Sequence, residues 1–263
     1  LYSALIGNKN DMKTISLIEK IFTYLLLEDF SDNDIFLLRK IAFDLIDKNF
    51  GTNISCRILC SLSEKENDID PEYINNAQKI IQFLINERNS KCLKYLMKFF
   101  FVRSDFLEEA TAFFSNNLFQ VLFKIFFTTN EETADSFNTK EDKIDWSCKL
   151  IGKIIEKVDV SVNQFFEIGF FDCLIKLSIE GNYREKSSSI YTLSRVLLQV
   201  VKNSICLNAN HINLLLEVCV YCIELIDTID QNTLFSVFDF ILNLIKILND
   251  PKDVISLLTQ EET

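Results

Sequence analysis

Glycine, proline and histidine are nearly missing from this chain of 263 residues, which holds five Gly, two Pro and a single His. So few turn-forming residues leave little room for hairpins or flexible linkers and argue against an all-β fold. One His removes the commonest metal ligand and proton shuttle from almost every position. No apolar run reaches the roughly 18 to 20 residues that cross a bilayer, and the longest candidate, 212–226, is interrupted by Asn213, Glu217 and Glu224. Basic charge is also short, with 27 Lys and Arg against 38 Asp and Glu and a net charge of −11. Nucleic acid and anionic membrane surfaces attract the opposite balance, so neither is an expected partner. The Gly-rich phosphate loops of nucleotide enzymes and the His-Glu-x-x-His zinc motif are absent. No cofactor is implied and no catalytic role is expected.

The chain starts at Leu1, with no initiating Met and no basic and apolar regions of a signal peptide. It reads as a piece of a longer protein. Eight cysteines lie mostly in apolar stretches, where free Cys behaves as a small hydrophobe. A reducing compartment, cytosol or nucleus, is the expectation.

What the chain does have is periodicity. Five segments starting at Ile35, Ile74, Ile144, Ile190 and Leu234 place apolar residues at offsets +0, +3, +6, +7, +10 and +11. The last reads Leu234, Val237, Phe240, Ile241, Leu244, Ile245, and Ser147 is the lone exception among thirty positions. Steps of three, four and seven put these residues on one side of a helix. Their recurrence marks a stack of helical repeats. Helices are expected at 12–29, 33–49, 53–64, 71–87, 90–102, 104–115, 117–128, 141–158, 161–168, 170–180, 184–203, 209–227, 230–248 and 251–260. Asp70-Pro71-Glu72 and Asn249-Asp250-Pro251 each place an N-cap before a Pro at the first helical position. The acidic stretch 128–142 reads as a surface loop.

A second recurrence is independent of the first. Residues 113–124, Phe-Phe-Ser-Asn-Asn-Leu-Phe-Gln-Val-Leu-Phe-Lys, align with 165–176, Phe-Phe-Glu-Ile-Gly-Phe-Phe-Asp-Cys-Leu-Ile-Lys. Each is a short helix, a sharp corner at Asn117 or Gly169, and a second helix, because Asn and Gly best tolerate positive φ. The long periodic helix follows as the third element of a unit of about 42 residues.

The stretch 165–177 with the long helix to Asn203 resembles one armadillo repeat of the importin-α and β-catenin type. The resemblance spans about 105 to 250. It implies an all-α fold, a right-handed α-solenoid of armadillo-like repeats, extending over 1–263 as one domain with degenerate repeats in 1–103 and clearer ones in 104–263. It also implies a protein-binding scaffold in which the long third helices line a concave groove and hold an extended segment of a partner.

In that arrangement column +5 reads Lys40, Lys79, Lys149, Arg195 and Asp239. Four basic residues in an acidic chain suit an extended, acidic peptide, although Asp145 and Lys149 also form an ordinary i,i+4 pair. Flanking columns add Asn75 and Tyr191, and Lys153, Gln199 and Asn243. Trp146 is a candidate stacking anchor. Importin-α grooves read basic peptides with a Trp and an Asn four residues later; here Trp146 is followed by Leu150 and Tyr191 by Arg195. A transport adaptor for basic cargo is therefore the second reading, and a spacer within a larger solenoid the third. Cys219 and Cys222 have the spacing of a redox or zinc motif, but they sit inside an apolar helix and read as core. His211 falls near a helix start with no nucleophile evident beside it.

Overall fold

In the computed structural model every regular element among the described residues is a helix. The structure describes residues 3, 7, 12–26, 30–48, 50, 52–86, 90–124, 140–159, 163–224 and 230–248. No helix among them is long and apolar enough to cross a membrane. In chain order they are α1 (Met12–Leu25), α2 (Asp32–Asp47), α3 (Thr52–Lys65), α4 (Pro71–Asn75), α5 (Ala77–Asn86), α6 (Ser90–Arg103) and α7 (Leu107–Ser115). There follow α8 (Leu118–Phe123), α9 (Lys140–Lys157), α10 (Asn163–Glu167), α11 (Phe170–Glu180), α12 (Tyr183–Lys202), α13 (Ala209–Glu224) and α14 (Gln231–Ile247). The helix expected at 251–260, the cap at 249–251 and nearly all of the loop expected at 128–142 lie outside the described residues.

The periodic columns are the core. Of their thirty residues only Ile85 is exposed, and Ser147, the one polar member, is fully buried. The expected corners are present as well: Asn117 has φ 65° and Gly169 φ 74°, both in the left-handed region. On either side of them Phe113, Leu118, Phe119 and Leu122 are buried, as are their counterparts Phe165, Phe170, Phe171 and Leu174. One expected helix is divided. Asn76 ends α4 by turning its side-chain Nδ2 onto the Glu72 carbonyl at 2.8 Å, a local bond with which Asn competes against the helical pattern.

Two compact units form, one from the described residues up to Val121 and one from those beyond it. In the first, α3 packs against α1, α2 and α6, and α7 against α4 and α5. Its core is aromatic: Tyr73 meets Phe99 edge-on at 5.1 Å, and Phe100 meets Phe113 at 4.9 Å. The connection 66–70 is tied down by charge. Asp70 caps α4 by accepting from the Glu72 amide at 2.8 Å, ahead of Pro71. Arg103, wholly buried, donates to the carbonyls of Glu66 (3.1 Å) and Asp68 (2.7 Å), and its Nε donates to Glu109 at 2.7 Å. Glu109, equally buried, also accepts from the Asp70 amide at 2.9 Å.

In the second unit α9, α12 and α14 lie side by side, and α11 and α13 pack against them. Thr192 Oγ1 donates to the Cys148 carbonyl at 2.7 Å and Gln199 Nε2 to the Ile155 carbonyl at 3.0 Å. Positions on both helices rise together, so α9 and α12 run parallel. The same relation joins α12 to α14, where Ser187 meets Thr233 at 2.6 Å and Asn243 Nδ2 donates to the Ser194 carbonyl at 3.1 Å. Gly152 permits the close approach of α9 and α12, since a Cβ there would stand 2.6 Å from the Tyr191 ring.

Candidate functional site

The candidate residues divide between surface and helix contact. In the first unit Lys40 and Asn75 are exposed, and Lys79 is exposed but engaged with Asp47 at 3.0 Å. In the second, Lys149 is exposed and bonded to Asp145 at 2.8 Å, while Trp146, Lys153 and Tyr191 are half-buried. Gln199 and Asn243 do not sit on the polar surface expected of them. They are 2% and 5% exposed, their amides spent on the carbonyls of the neighbouring long helix.

The reason is geometric. On α12 columns +2, +5 and +9, and on α14 columns +5 and +9, turn towards the preceding long helix, as Thr192, Arg195 and Gln199 turn to α9 and Asp239 and Asn243 to α12. At column +5 Arg195 therefore meets charge on its neighbours. Arg195 Nε lies 3.3 Å from Glu156 and its NH1 2.9 Å from Asp239. The pair Lys79–Asp47 repeats the relation of Arg195 to Glu156, with column +5 on one helix meeting column +12 on the one before. Two of the four basic residues at +5, Lys79 and Arg195, thus tie helix to helix, whereas Lys149 pairs with Asp145 on its own helix.

Around Arg195 the surface is a small, charge-balanced cluster. Its guanidinium lies 5.1 Å from the centroid of the Tyr191 ring, and the Tyr191 hydroxyl donates to Glu156 at 3.3 Å. Burial opposes the Arg195 charge, but Glu156 and Asp239 outweigh it and hold the group above its ordinary value. Burial, with help from Glu156, pushes the Tyr191 phenol up. Both groups therefore keep one protonation state near neutrality and offer contact, not proton transfer.

In the first unit an open depression beside the 66–70 connection is lined by Asp32, Phe36, Arg39, Lys65, Glu66 and Asp70. Arg39 reaches Glu66 and lies 2.6 Å from Asp70, and the Tyr73 hydroxyl donates to Glu66 at 2.7 Å. These charges are spent on one another.

The other candidates are packing residues. Cys219 and Cys222 are fully buried within α13, and burial pushes their thiols up to about 11 and about 12. A thiol so raised is a poor nucleophile and metal ligand at neutral pH. Among the described residues no three His, Cys, Asp or Glu side chains are grouped to hold a metal. His211, in the first turn of α13, stacks on Phe166 at 5.5 Å and meets Phe171 edge-on at 5.2 Å, with Nε2 3.3 Å from Asp172.

No family model and no curated protein matches the sequence. The fold is similar to the crystal structure of an engineered protein determined by a structural genomics consortium. The two align with a TM-score of 0.57 over 92% of this chain and 94% of that one, at 12% identity.

Sequence reasoning missed the Arg103–Glu109 pair and the exposed row Phe235, Phe238 and Leu242 on α14. The second was detectable, since those residues recur at three and four on α14 beside its apolar columns and widen its apolar face.

Proposed function

We propose that the chain is an armadillo-like α-solenoid that acts as a non-catalytic scaffold and binds a segment of a partner protein across its long helices. The observation that carries this reading is the parallel packing of three long helices, in which α12 is bonded to α9 by Thr192 and Gln199 and α14 to α12 by Asn243. Such stacks present one polar side of every repeat in a continuous strip, and extended strips bind extended segments. The accessible part of the strip in the second unit is Trp146, Lys149 and Lys153 on α9 with Tyr191 and Arg195 on α12. An acidic, extended segment fits the two lysines, and Trp146 and Tyr191 supply flat apolar contact beside them.

The test is an affinity purification from source-cell extract comparing the wild type with Lys149→Glu/Lys153→Glu, both checked by circular dichroism. Loss of the same retained proteins from the folded variant supports the strip. Identical retention by both proteins, or retention of none, overturns it. Arg195 is excluded from the variant because its substitution would unpair Glu156 and Asp239 within the fold.

A further inference from the structure

The first unit carries its own row of parallel helices, α1, α3 and α6. On α3 the Arg57 guanidinium donates to the Thr23 hydroxyl of α1, and Ser61 Oγ donates to the Leu26 carbonyl just past α1 at 3.2 Å. On the other side Arg57 stands 5.2 Å from the centroid of the Tyr95 ring of α6, and Glu64 pairs with Lys98. Positions rise together in both pairs, so the three helices run in one direction. Most of α3 is buried, and Asn53, Arg57, Ser61 and Glu64 form a stripe at helical spacing that reaches solvent.

Arg57 is held in place but not neutralised. Arg39, Arg103 and Arg195 each meet a carboxylate, whereas among the described residues Arg57 meets a hydroxyl and an aromatic face. Its Nε is buried and bonded to no described residue. A partly buried cation without an opposing charge is costly, and a guanidinium has five N–H groups, of which Thr23 takes one. Thr23 is itself fixed, because its Oγ1 donates to the Glu19 carbonyl at 2.8 Å. The fork is thus oriented before any ligand arrives. The flanking helices add exposed positive charge, Lys94 one turn before Lys98 on α6 and Lys20 one turn before Thr23 on α1. This local surplus stands in a chain whose net charge is −11.

We propose that Arg57, backed by Tyr95, is a binding site for a carboxylate side chain in an acidic segment of a partner protein. Buried Nε closes the side of the guanidinium, so the carboxylate approaches its amino end, which faces solvent. Neighbouring acidic residues of the segment fall to Lys94 and Lys20, which are more exposed and act mainly on the rate of encounter. Glu19, half-buried one turn before Thr23, and Glu64, held by Lys98, flank these cations. They repel a doubly charged phosphate more than a singly charged carboxylate, which favours Asp or Glu over a phosphorylated residue. The site belongs to the first unit and does not rest on the strip of α9 and α12.

Fluorescence anisotropy of a labelled peptide of alternating Glu and Gly, titrated with the full chain, tests this, with a Gln-and-Gly peptide as control. The Glu peptide is expected to bind with a Kd on the order of 10 to 100 µM, weakening as salt is added, and the Gln peptide at least about tenfold less tightly. Arg57→Gln is expected to raise Kd about tenfold and Lys94→Glu severalfold. Circular dichroism verifies that both variants fold, and Lys94 is exposed, so its variant reads the site even where Arg57→Gln disturbs packing. The loss caused by Arg57→Gln is expected to be the same in a Lys149→Glu/Lys153→Glu background. No binding of the Glu peptide at about 1 mM chain, equal binding of the Gln peptide, or an affinity unchanged by both Arg57→Gln and Lys94→Glu would each overturn the site. So would tighter binding of a peptide with phosphoserine in place of its central Glu. A loss confined to Lys149→Glu/Lys153→Glu would overturn it too, while leaving the strip of the second unit standing.

Discussion

The two units solve one problem, the joining of helices, with opposite chemistries. The first concentrates charge at a single point: Arg39, Glu66, Asp70, Arg103 and Glu109 converge on one irregular connection, and Arg103 and Glu109 are removed from water altogether. The second spreads neutral hydroxyl and amide bonds from Thr192, Gln199 and Asn243 along a regular row and leaves its ion pairs at the rim. A buried charge tolerates no missing partner, whereas a neutral bond repeated along a row shares its load. Irregular backbone needs the first device because its carbonyls have no helical partners; parallel helices need only the second.

Three substitutions break or sharpen the contrast. Glu109→Ala leaves the Arg103 guanidinium buried with only Glu66, 3.9 Å from its NH1, as an opposing carboxylate, and the first unit should lose about 3 to 5 kcal/mol. Urea unfolding followed by circular dichroism reads the loss. The single Trp, Trp146, belongs to the second unit, so its fluorescence transition should move less than the ellipticity. Gly152→Ala comes next. Its new methyl meets the Tyr191 ring at 2.6 Å, and overpacking of this kind costs about 1 to 3 kcal/mol, here at the Trp146 transition. The smallest effect belongs to Thr192→Val, which keeps the shape and deletes the hydroxyl that bridges the Cys148 and Ser188 carbonyls, at about 1 kcal/mol. Equal losses for Glu109→Ala and Thr192→Val would erase the distinction between the units.

How far the sequence spoke depended on the kind of question. Periodicity reports the angle of a residue about its own helix axis, and that was enough to place the buried columns and the corners at Asn117 and Gly169. It does not report what stands opposite. Gln199, Asn243 and Arg195 share a polar sector with Lys149, yet the neighbouring helix claims the first two completely and the third in part. Nothing local marks Arg103 as buried either. It ends the apolar run Phe99-Phe100-Phe101-Val102, and its partner Glu109 stands in the first turn of the next helix, where an acidic residue is ordinary. Arg103 meets the backbone at Glu66 and Asp68, more than thirty residues away. The Asn76 break was of another kind, visible as a residue type but outweighed by the apolar pattern running through it.

Surface connections are where insertions and deletions usually accumulate, because their backbone has only water to satisfy. The stretch 66–70 is an exception. Two of its carbonyls and one of its amides are matched to a guanidinium and a carboxylate carried by α6 and α7. One residue more or fewer would slide every one of these groups out of place at once. This short connection should therefore be fixed in length among descendants of the chain even where its side chains drift.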